Sequence, residues 1–232
     1  MANILERWGL TVDQLTEVVD SNPSLRGVML GYLGEFKLRQ VLESTKKVQD
    51  LKKADDHDRK NKNDLALTYK DYRFTIEAKS LQTNSVKVDE AGGKKSYRGN
   101  FQCDASDCRE IELPNGKKLE TTCLVAGDFD IVAVNLFAFR QKWEFGFCLN
   151  SDLPRSKSKK YSDEQKKYLL ATLPKITLPL EPPYTDDIFK LLDKLVEERN
   201  KGVPHAAVKV VAEAEPEEDQ PPFAKVEVEV KK

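Results

Sequence analysis

Histidine and long apolar segments are what this chain has least of. Among the 232 residues there are only two histidines, His57 and His205, so active sites built from several histidines are excluded. No apolar run approaches the roughly 20 residues of a membrane-spanning helix, and the first residues lack the charged-then-apolar order of a secretion signal. Composition therefore predicts a soluble, globular protein of the cytoplasm with no membrane partner.

Cysteine is also scarce, with four residues at Cys103, Cys108, Cys123 and Cys148. The first two are separated by four residues, a spacing that a zinc site can use, but the other two do not form a second close pair. The alternative is four reduced thiols in or near strands, where cysteine packs as a small hydrophobic residue. We favour reduced thiols and keep a zinc site as the second interpretation.

The formal charge of −1 hides an asymmetry along the chain. From Glu213 onward seven acidic residues face three lysines, so this end carries −4 and residues 1–212 carry +3. Residues 1–212 contain several clusters of lysine and arginine. Within these clusters, the positions that we expect to contact a nucleic acid backbone are Lys94, Lys95, Arg98 and Arg155.

Residues 64–79 have the pattern of two short strands around a tight turn at Lys70-Asp71. Side chains alternate between the faces of a strand, so Glu77 and Lys79 share one face. If the hairpin closes at this turn, Asp64 lies at the far end of the first strand, across from them. The pattern predicts that two carboxylates and an ammonium group meet at one point.

Such a group suits a hard divalent cation. Magnesium prefers oxygen ligands and keeps several waters, so we expect Asp64 and Glu77 to bind Mg²⁺, with Mn²⁺ as a substitute. The ion lowers the pKa of a bound water and stabilises charge that develops on a phosphate. The carboxylates favour the charged form of Lys79, so we expect it to orient the attacking water rather than to act as a free base.

The trio resembles the PD-(D/E)XK nuclease superfamily, whose motif is an Asp at the start of one strand and Glu-x-Lys on the next. Asn63 stands where the motif has proline. Members often carry a glutamate on the helix before the hairpin, and Glu35 matches it, either as a further ligand or through water. An ordinary surface pair of Glu35 with Arg39, one helical turn away, is the alternative.

Acid-x-Lys tripeptides occur elsewhere in this chain, because 33% of its residues are charged. Glu77-Ala78-Lys79 differs from them by its context, since it follows both a strand that begins with Asp and a helix that bears Glu35. An exposed hairpin with a cross-strand charge pair is the structural alternative.

The resemblance spans about Leu30 to Leu192 and implies an α/β fold with a restriction-endonuclease-like mixed central β-sheet flanked by helices. Residues 1–204 would form the nuclease domain, and residues 205–232 an acidic, Pro-containing, weakly structured C-terminal tail. The implied activity is that of a magnesium-dependent endonuclease on double-stranded DNA, as a sequence-specific restriction enzyme acting as a homodimer. A repair or junction-resolving nuclease of the same fold and a non-catalytic nucleic-acid or protein-binding module stay open.

Capping residues and apolar spacing predict four helices. Thr11 begins the first, which runs to Val19. Ser24 begins the second, which ends near Leu42. The other two are predicted for Tyr161–Leu170 and for Thr185–Asn200.

Turn signals and β-rich runs predict further strands. A hairpin is predicted around Pro114-Asn115-Gly116. Two apolar strands, within Gly127–Phe137 and Trp143–Leu149, are expected to fill the centre of the sheet, and we assign Asp128 and Asp130 to the turn and strand start there rather than to a metal. Ala91–Gly99 is expected to be a flexible basic loop.

Overall fold

The computed structural model describes residues 2–53, 63–202 and 209–210. Both histidines lie outside this part of the chain. The helices are α1 (Ile4–Trp8), α2 (Val12–Ser21), α3 (Pro23–Ser44), α4 (Phe137–Arg140), α5 (Asp163–Lys166) and α6 (Ile188–Asn200). The strands are β1 (Gln49–Lys53), β2 (Leu65–Tyr69), β3 (Tyr72–Ser80), β4 (Lys87–Ala91), β5 (Lys94–Asn100), β6 (Asp104–Glu112), β7 (Lys118–Cys123), β8 (Ile131–Asn135), β9 (Phe145–Leu149), β10 (Lys175–Leu178) and β11 (Lys209–Val210).

The central sheet has five strands in the order β1-β2-β3-β8-β9. Strands β3 and β8 run parallel, and the other neighbours are antiparallel. With helices packed against it, this sheet confirms the predicted α/β fold with a mixed central sheet. Strand β8 is interior and entirely buried, as expected. Strand β9 is equally buried but ends the sheet instead of filling its centre.

The hairpin between β2 and β3 closes as predicted, with Tyr69 opposite Tyr72. Both turn residues have positive φ, 48° for Lys70 and 67° for Asp71. Such a turn matches the right-handed twist of the flanking strands. Asp193 holds it from α6, because its carboxylate accepts hydrogen bonds from Lys70 Nζ at 2.7 Å and Tyr69 Oη at 2.9 Å. The turn therefore sets the register on which the positions of Asp64 and Glu77 depend.

Two apolar layers cover the two faces of the central sheet. On one face, Leu38 and Leu42 of α3 and Leu192 of α6 pack among strand residues that include Ile76. On the other face, Phe101, Cys103 and Ile176 belong to a second core that includes Val132 and Val134 of β8. Because side chains alternate along β3, Glu77 and Lys79 point to the second layer.

Two smaller sheets lie outside the central one, in the orders β10-β5-β4 and β11-β6-β7. The first replaces the flexible loop expected over Ala91–Gly99, since Gly92 and Gly93 with positive φ form a tight hairpin turn. The second contains the hairpin predicted around Pro114-Asn115-Gly116. From the predicted tail, the described residues include β11, whose backbone pairs with β6.

Three helix predictions need correction. Helix α3 begins at Pro23, after Asn22, because proline is preorganised for the first helical position; Ser24 is therefore inside the helix. Helix α5 is a single turn capped by Ser162, much shorter than predicted. Helix α6 is capped by Asp187, whose side chain accepts from Phe189 N at 3.0 Å, and not by Thr185. The capping of α2 by Thr11 is confirmed.

None of the helices in the described residues has both the length and the apolar character needed to cross a membrane.

Gly34 allows α3 to approach β8 closely. A Cβ atom at Gly34 would lie 2.9 Å from Nδ2 of Asn135, which must then move. Asn135 is itself held in place, since its Oδ1 accepts from Phe137 N at 3.0 Å. At Gly31, one turn earlier, an added Cβ would meet nothing within 4 Å.

We expect Gly34→Ala to lower the free energy of unfolding, because the helix must move away from the sheet. Gly31→Ala is the matched control and should raise it by up to about 1 kcal/mol through helix propensity. Urea unfolding followed by circular dichroism measures both. Equal effects of the two substitutions would show that the contact at Gly34 is not a packing constraint.

Candidate active site

The trio predicted from sequence comes together at one end of the β2–β3 hairpin. Lys79 Nζ lies 2.8 Å from Glu77 Oε1. Asp64, directly before β2, accepts a hydrogen bond from Ala78 N through Oδ2 at 2.6 Å. The pairing of Leu65 with Ile76 places Asp64 beside Glu77 on the adjacent strand. The two carboxylates and the ammonium group are therefore neighbours.

Glu77 is the most deeply buried of the three, with 6% of its surface exposed. The pKa of Glu77 is raised to about 7, chiefly by burial; the positive charges of Lys79 and Arg109 lower it, and the negative charge of Asp64 raises it. Burial alone lowers the pKa of Lys79, but Glu77 and Asp64 outweigh it, so the net shift is upward. Lys79 is consequently a permanent cation at neutral pH.

A pocket of about 430 Å³ opens beside Lys79. It lies where the parallel strands β3 and β8 end, so side chains from both faces of the sheet meet there. Helix α3 contributes Gly31 and Glu35 to its lining, and the segment after β5 contributes Gln102 and Asp104. Lys79 Nζ also donates to the backbone carbonyl of Asp104 at 3.3 Å.

Glu35 reaches this pocket from α3, so it lies near Lys79 although it is on the opposite side of the sheet. Its carboxylate pairs with Lys53 Nζ at 3.5 Å. This ion pair with β1 replaces the pair with Arg39 that was the alternative; the Arg39 guanidinium instead lies 5.7 Å from the ring centre of Phe36. Glu35 therefore lines the pocket and is paired with Lys53.

The donor set fits a magnesium ion that keeps much of its water. Asp64 and Glu77 supply carboxylate oxygens, the ligands that Mg²⁺ prefers. A cation between them would offset both the burial of the Glu77 charge, which is the main cause of its raised pKa, and the smaller repulsion from Asp64. Within residues 2–53, 63–202 and 209–210, no three His, Cys, Asp or Glu side chains are grouped to hold a metal. Such a site would thus draw its remaining ligands from water and substrate.

Sequence reasoning missed two residues of this region. Arg109 on β6 is buried, pairs with Asp128 at 2.8 Å, and is near enough to Glu77 to lower its pKa. Lys53 neutralises Glu35 from β1. No sequence motif surrounds either residue, because each is brought to the site by the pairing of its strand with other strands.

The remaining candidates have structural contacts. Asp130 accepts from Thr75 N at 2.8 Å and pairs with Arg199 at 2.7 Å, which is consistent with the assignment of Asp130 to the strand start. The Arg155 guanidinium donates to three backbone carbonyls, those of Ser151, Leu153 and Lys167. The N–H groups of the Arg155 guanidinium therefore point toward the backbone of neighbouring loops of this chain.

All four cysteines are free thiols, and Cys108 is the exposed one. Cys103 is adjacent to the site, and burial raises the pKa of its thiol to about 12. It is therefore neutral at pH 7 and packs as part of the core, as the first interpretation of the cysteines predicts.

The raised pKa of Glu77 predicts a pH dependence of stability without metal. Between its ordinary value of 4.5 and about 7 the folded protein binds the proton more tightly than the unfolded chain, so the free energy of unfolding falls as pH rises through this window. Glu77→Gln cannot titrate and lacks this term. In EDTA, the stability of Glu77→Gln relative to wild type should therefore increase from pH 5 to pH 8.

Urea unfolding of both proteins at matched pH values measures this difference, and the other titrating groups cancel in it. A difference that stays constant with pH would mean that Glu77 has an ordinary pKa in the folded protein.

No protein family matches the sequence of this chain, and no curated protein does. Among solved structures, a bacterial homing endonuclease is similar at 13% identity and a TM-score of 0.33, over 61% of this chain and 86% of that chain. A likeness this low leaves the function to be argued from the site itself.

Proposed function

We propose that this protein is a metal-dependent endonuclease that hydrolyses phosphodiester bonds in double-stranded DNA. One observation carries the proposal: Lys79, which lines the pocket, forms an ion pair with buried Glu77, and Asp64 lies beside Glu77 on the adjacent strand. A buried carboxylate whose pKa is strongly raised by burial, with charged partners beside it and a cleft next to the pair, is typical of functional sites. The resemblance to the PD-(D/E)XK superfamily supports the same reading, because Asp64 and Glu77-Ala78-Lys79 match its motif apart from Asn63 in place of proline, and Glu35 matches the helix glutamate that members often carry.

Asp64 and Glu77 would hold magnesium, with manganese as a substitute, and when bound the ion lowers the pKa of water and stabilises charge on the phosphate oxygens. The backbone N–H of Ala78 orients the Asp64 carboxylate. Lys79 is fixed by Glu77 and by the carbonyl of Asp104, so its ammonium group can donate to an attacking water or a phosphate oxygen. Glu35 assists from the opposite wall of the pocket, directly or through water.

The subtype we propose is a sequence-specific restriction endonuclease that acts as a homodimer. Helices α1, α2 and α3 each expose large apolar side chains, Trp8 (61% exposed), Val12 (66%), Tyr32 (54%) and Phe36 (45%) among them, and we assign these to one surface. Large exposed apolar patches mark interaction sites, and a two-fold interface uses the same patch on both subunits. We assign this surface to the contact between two copies.

The catalytic assignment predicts that Lys79→Ala and Glu77→Ala each reduce DNA cleavage about a hundredfold or more, because each removes charge placed where the reaction develops it. Plasmid DNA incubated with magnesium measures cleavage, and EDTA should abolish it. Lys118→Ala is the matched control, since it breaks an exposed ion pair with Glu110 of the same 2.8 Å length on the β6–β7 hairpin.

Circular dichroism confirms that each variant is folded. Unchanged cleavage by folded Lys79→Ala would refute its role, and no cleavage by wild type with any divalent metal would favour a binding module. Discrete plasmid fragments support the restriction subtype, whereas nicking only at junctions or flaps would assign the protein to repair.

The homodimer predicts a sedimentation mass of twice the 26.4 kDa chain. Phe36→Glu should convert it to the single-chain mass, because a charge in the apolar surface is costly to bury. Val88→Glu, at a 53% exposed valine on β4, is the control and should leave the mass unchanged. A wild type that sediments as one chain at all concentrations contradicts the proposal.

A further inference from the structure

Strands β4, β5 and β10 present one sheet face to solvent. Lys87 lies opposite Arg98, and Ala91 lies opposite Lys94, so these side chains share a face. Lys175 pairs with Asn100, two residues beyond Arg98 on the same strand, which places it on this face as well. We call this surface the basic sheet face; its charged residues are Lys87, Asp89, Lys94, Arg98 and Lys175.

The basic sheet face carries four cationic side chains and one carboxylate, and all five residues are exposed. Asp89 pairs with Arg98 at 3.1 Å, and both side chains are more than half exposed. Such a surface pair contributes little to stability, so Arg98 can exchange it for another anion. The net charge of the face is therefore strongly positive, although the charge of the whole chain is −1.

The opposite face of the same sheet has a different character. Lys95 lies opposite Glu90 there, and Ile176 and Tyr97 pack into the core that covers β8. The ring of Tyr97 lies 5.7 Å from that of Phe139. This side anchors the sheet, so the basic sheet face is a rigid surface. The alternation of side chains along β5 also places Lys95 on the opposite face from Lys94 and Arg98. All three are predicted from the sequence to contact a nucleic acid backbone.

The basic sheet face begins at the rim of the candidate active site. Strand β5 ends at Asn100, whose carbonyl accepts from Gln82 N at 2.9 Å, two residues after the end of β3. Gln102 and Asp104, which follow directly, line the pocket. From Asn100 back to Lys94 the strand extends about 20 Å at ~3.4 Å per residue, which matches about six phosphates of one DNA strand.

We propose that the basic sheet face binds the phosphate backbone of duplex DNA on one side of the scissile bond. This inference rests on the proposed function for the choice of partner. The cations lie along the length of β5, at Lys94, at Arg98 with Lys87 opposite it, and at Lys175 opposite Asn100. This arrangement suits a regular polyanion that continues past the pocket. Backbone contacts of this kind position the substrate without reading its bases.

Binding in EDTA tests the proposal separately from cleavage. The probe is a fluorescein-labelled duplex longer than the face, and its anisotropy is measured over a range of salt concentrations. Lys87→Ala, Lys94→Ala and Lys175→Ala should each weaken binding and reduce the slope of log affinity against log salt by about one. The triple variant should reduce it by about three.

Lys95→Ala is the matched control, because it removes the same charge from the neighbouring position on the opposite face. It should leave the salt slope unchanged. An equal loss in Lys95→Ala would show that only net charge matters, and no loss in the triple variant would show that the face makes no contact; either result overturns the proposal. Competition by polyglutamate at equal charge concentration would reassign the face to an acidic protein and also overturn it.

The two proposals fail in different ways. If the variants show these changes in salt slope but the wild type cuts DNA with no divalent metal, the nuclease proposal is contradicted and the binding-face proposal is supported. If the triple variant cuts DNA normally and its salt slope equals that of the wild type, the nuclease proposal is supported and the binding-face proposal is contradicted.

Discussion

The ion pair between Glu77 and Lys79 is the interaction on which the site depends. A carboxylate with 6% exposure is costly to ionise, and Lys79 at 2.8 Å offsets part of that cost. Asp64 increases it again, since its own negative charge is adjacent. Two carboxylates held together in this way against their repulsion form a site that a cation would stabilise, and this geometry supports the proposed metal-dependent reaction.

The pocket that Lys79 lines lies at the ends of two strands. Strands β3 and β8 are parallel and stop together at Ser80 and Asn135. Beyond that edge the helix on one face and the second core on the other no longer enclose the sheet, and the pocket forms there. The basic sheet face starts at the same edge, because β5 leads directly into the pocket lining. The candidate active site and the proposed DNA-binding face are therefore joined by one continuous segment of the chain.

Local signals succeeded where the determining contacts are local. The capping of α2 by Thr11, the turn at Lys70-Asp71 and the buried strand β8 were all predictable. They failed where tertiary packing competes with local preference. Ala91–Gly99 has the glycines and charges of a loop, but pairing with β10 and the burial of Tyr97 make it a strand. The predicted helix over Tyr161–Leu170 shrinks to one turn, because Leu169 and Leu170 form bridges with Val125 and Arg155 instead.

What the amino-acid sequence determined by itself is the proximity of Asp64, Glu77 and Lys79, since period-2 alternation and one tight turn suffice to bring them together. The contacts of Glu35 with Lys53, the approach of Arg109 to Glu77 and the division of Lys94 from Lys95 were decided by the tertiary structure. Each of these depends on register between strands or on helix placement against a sheet. Strand register and helix placement result from packing over the whole core, so no pattern among neighbouring residues in the sequence predicts them.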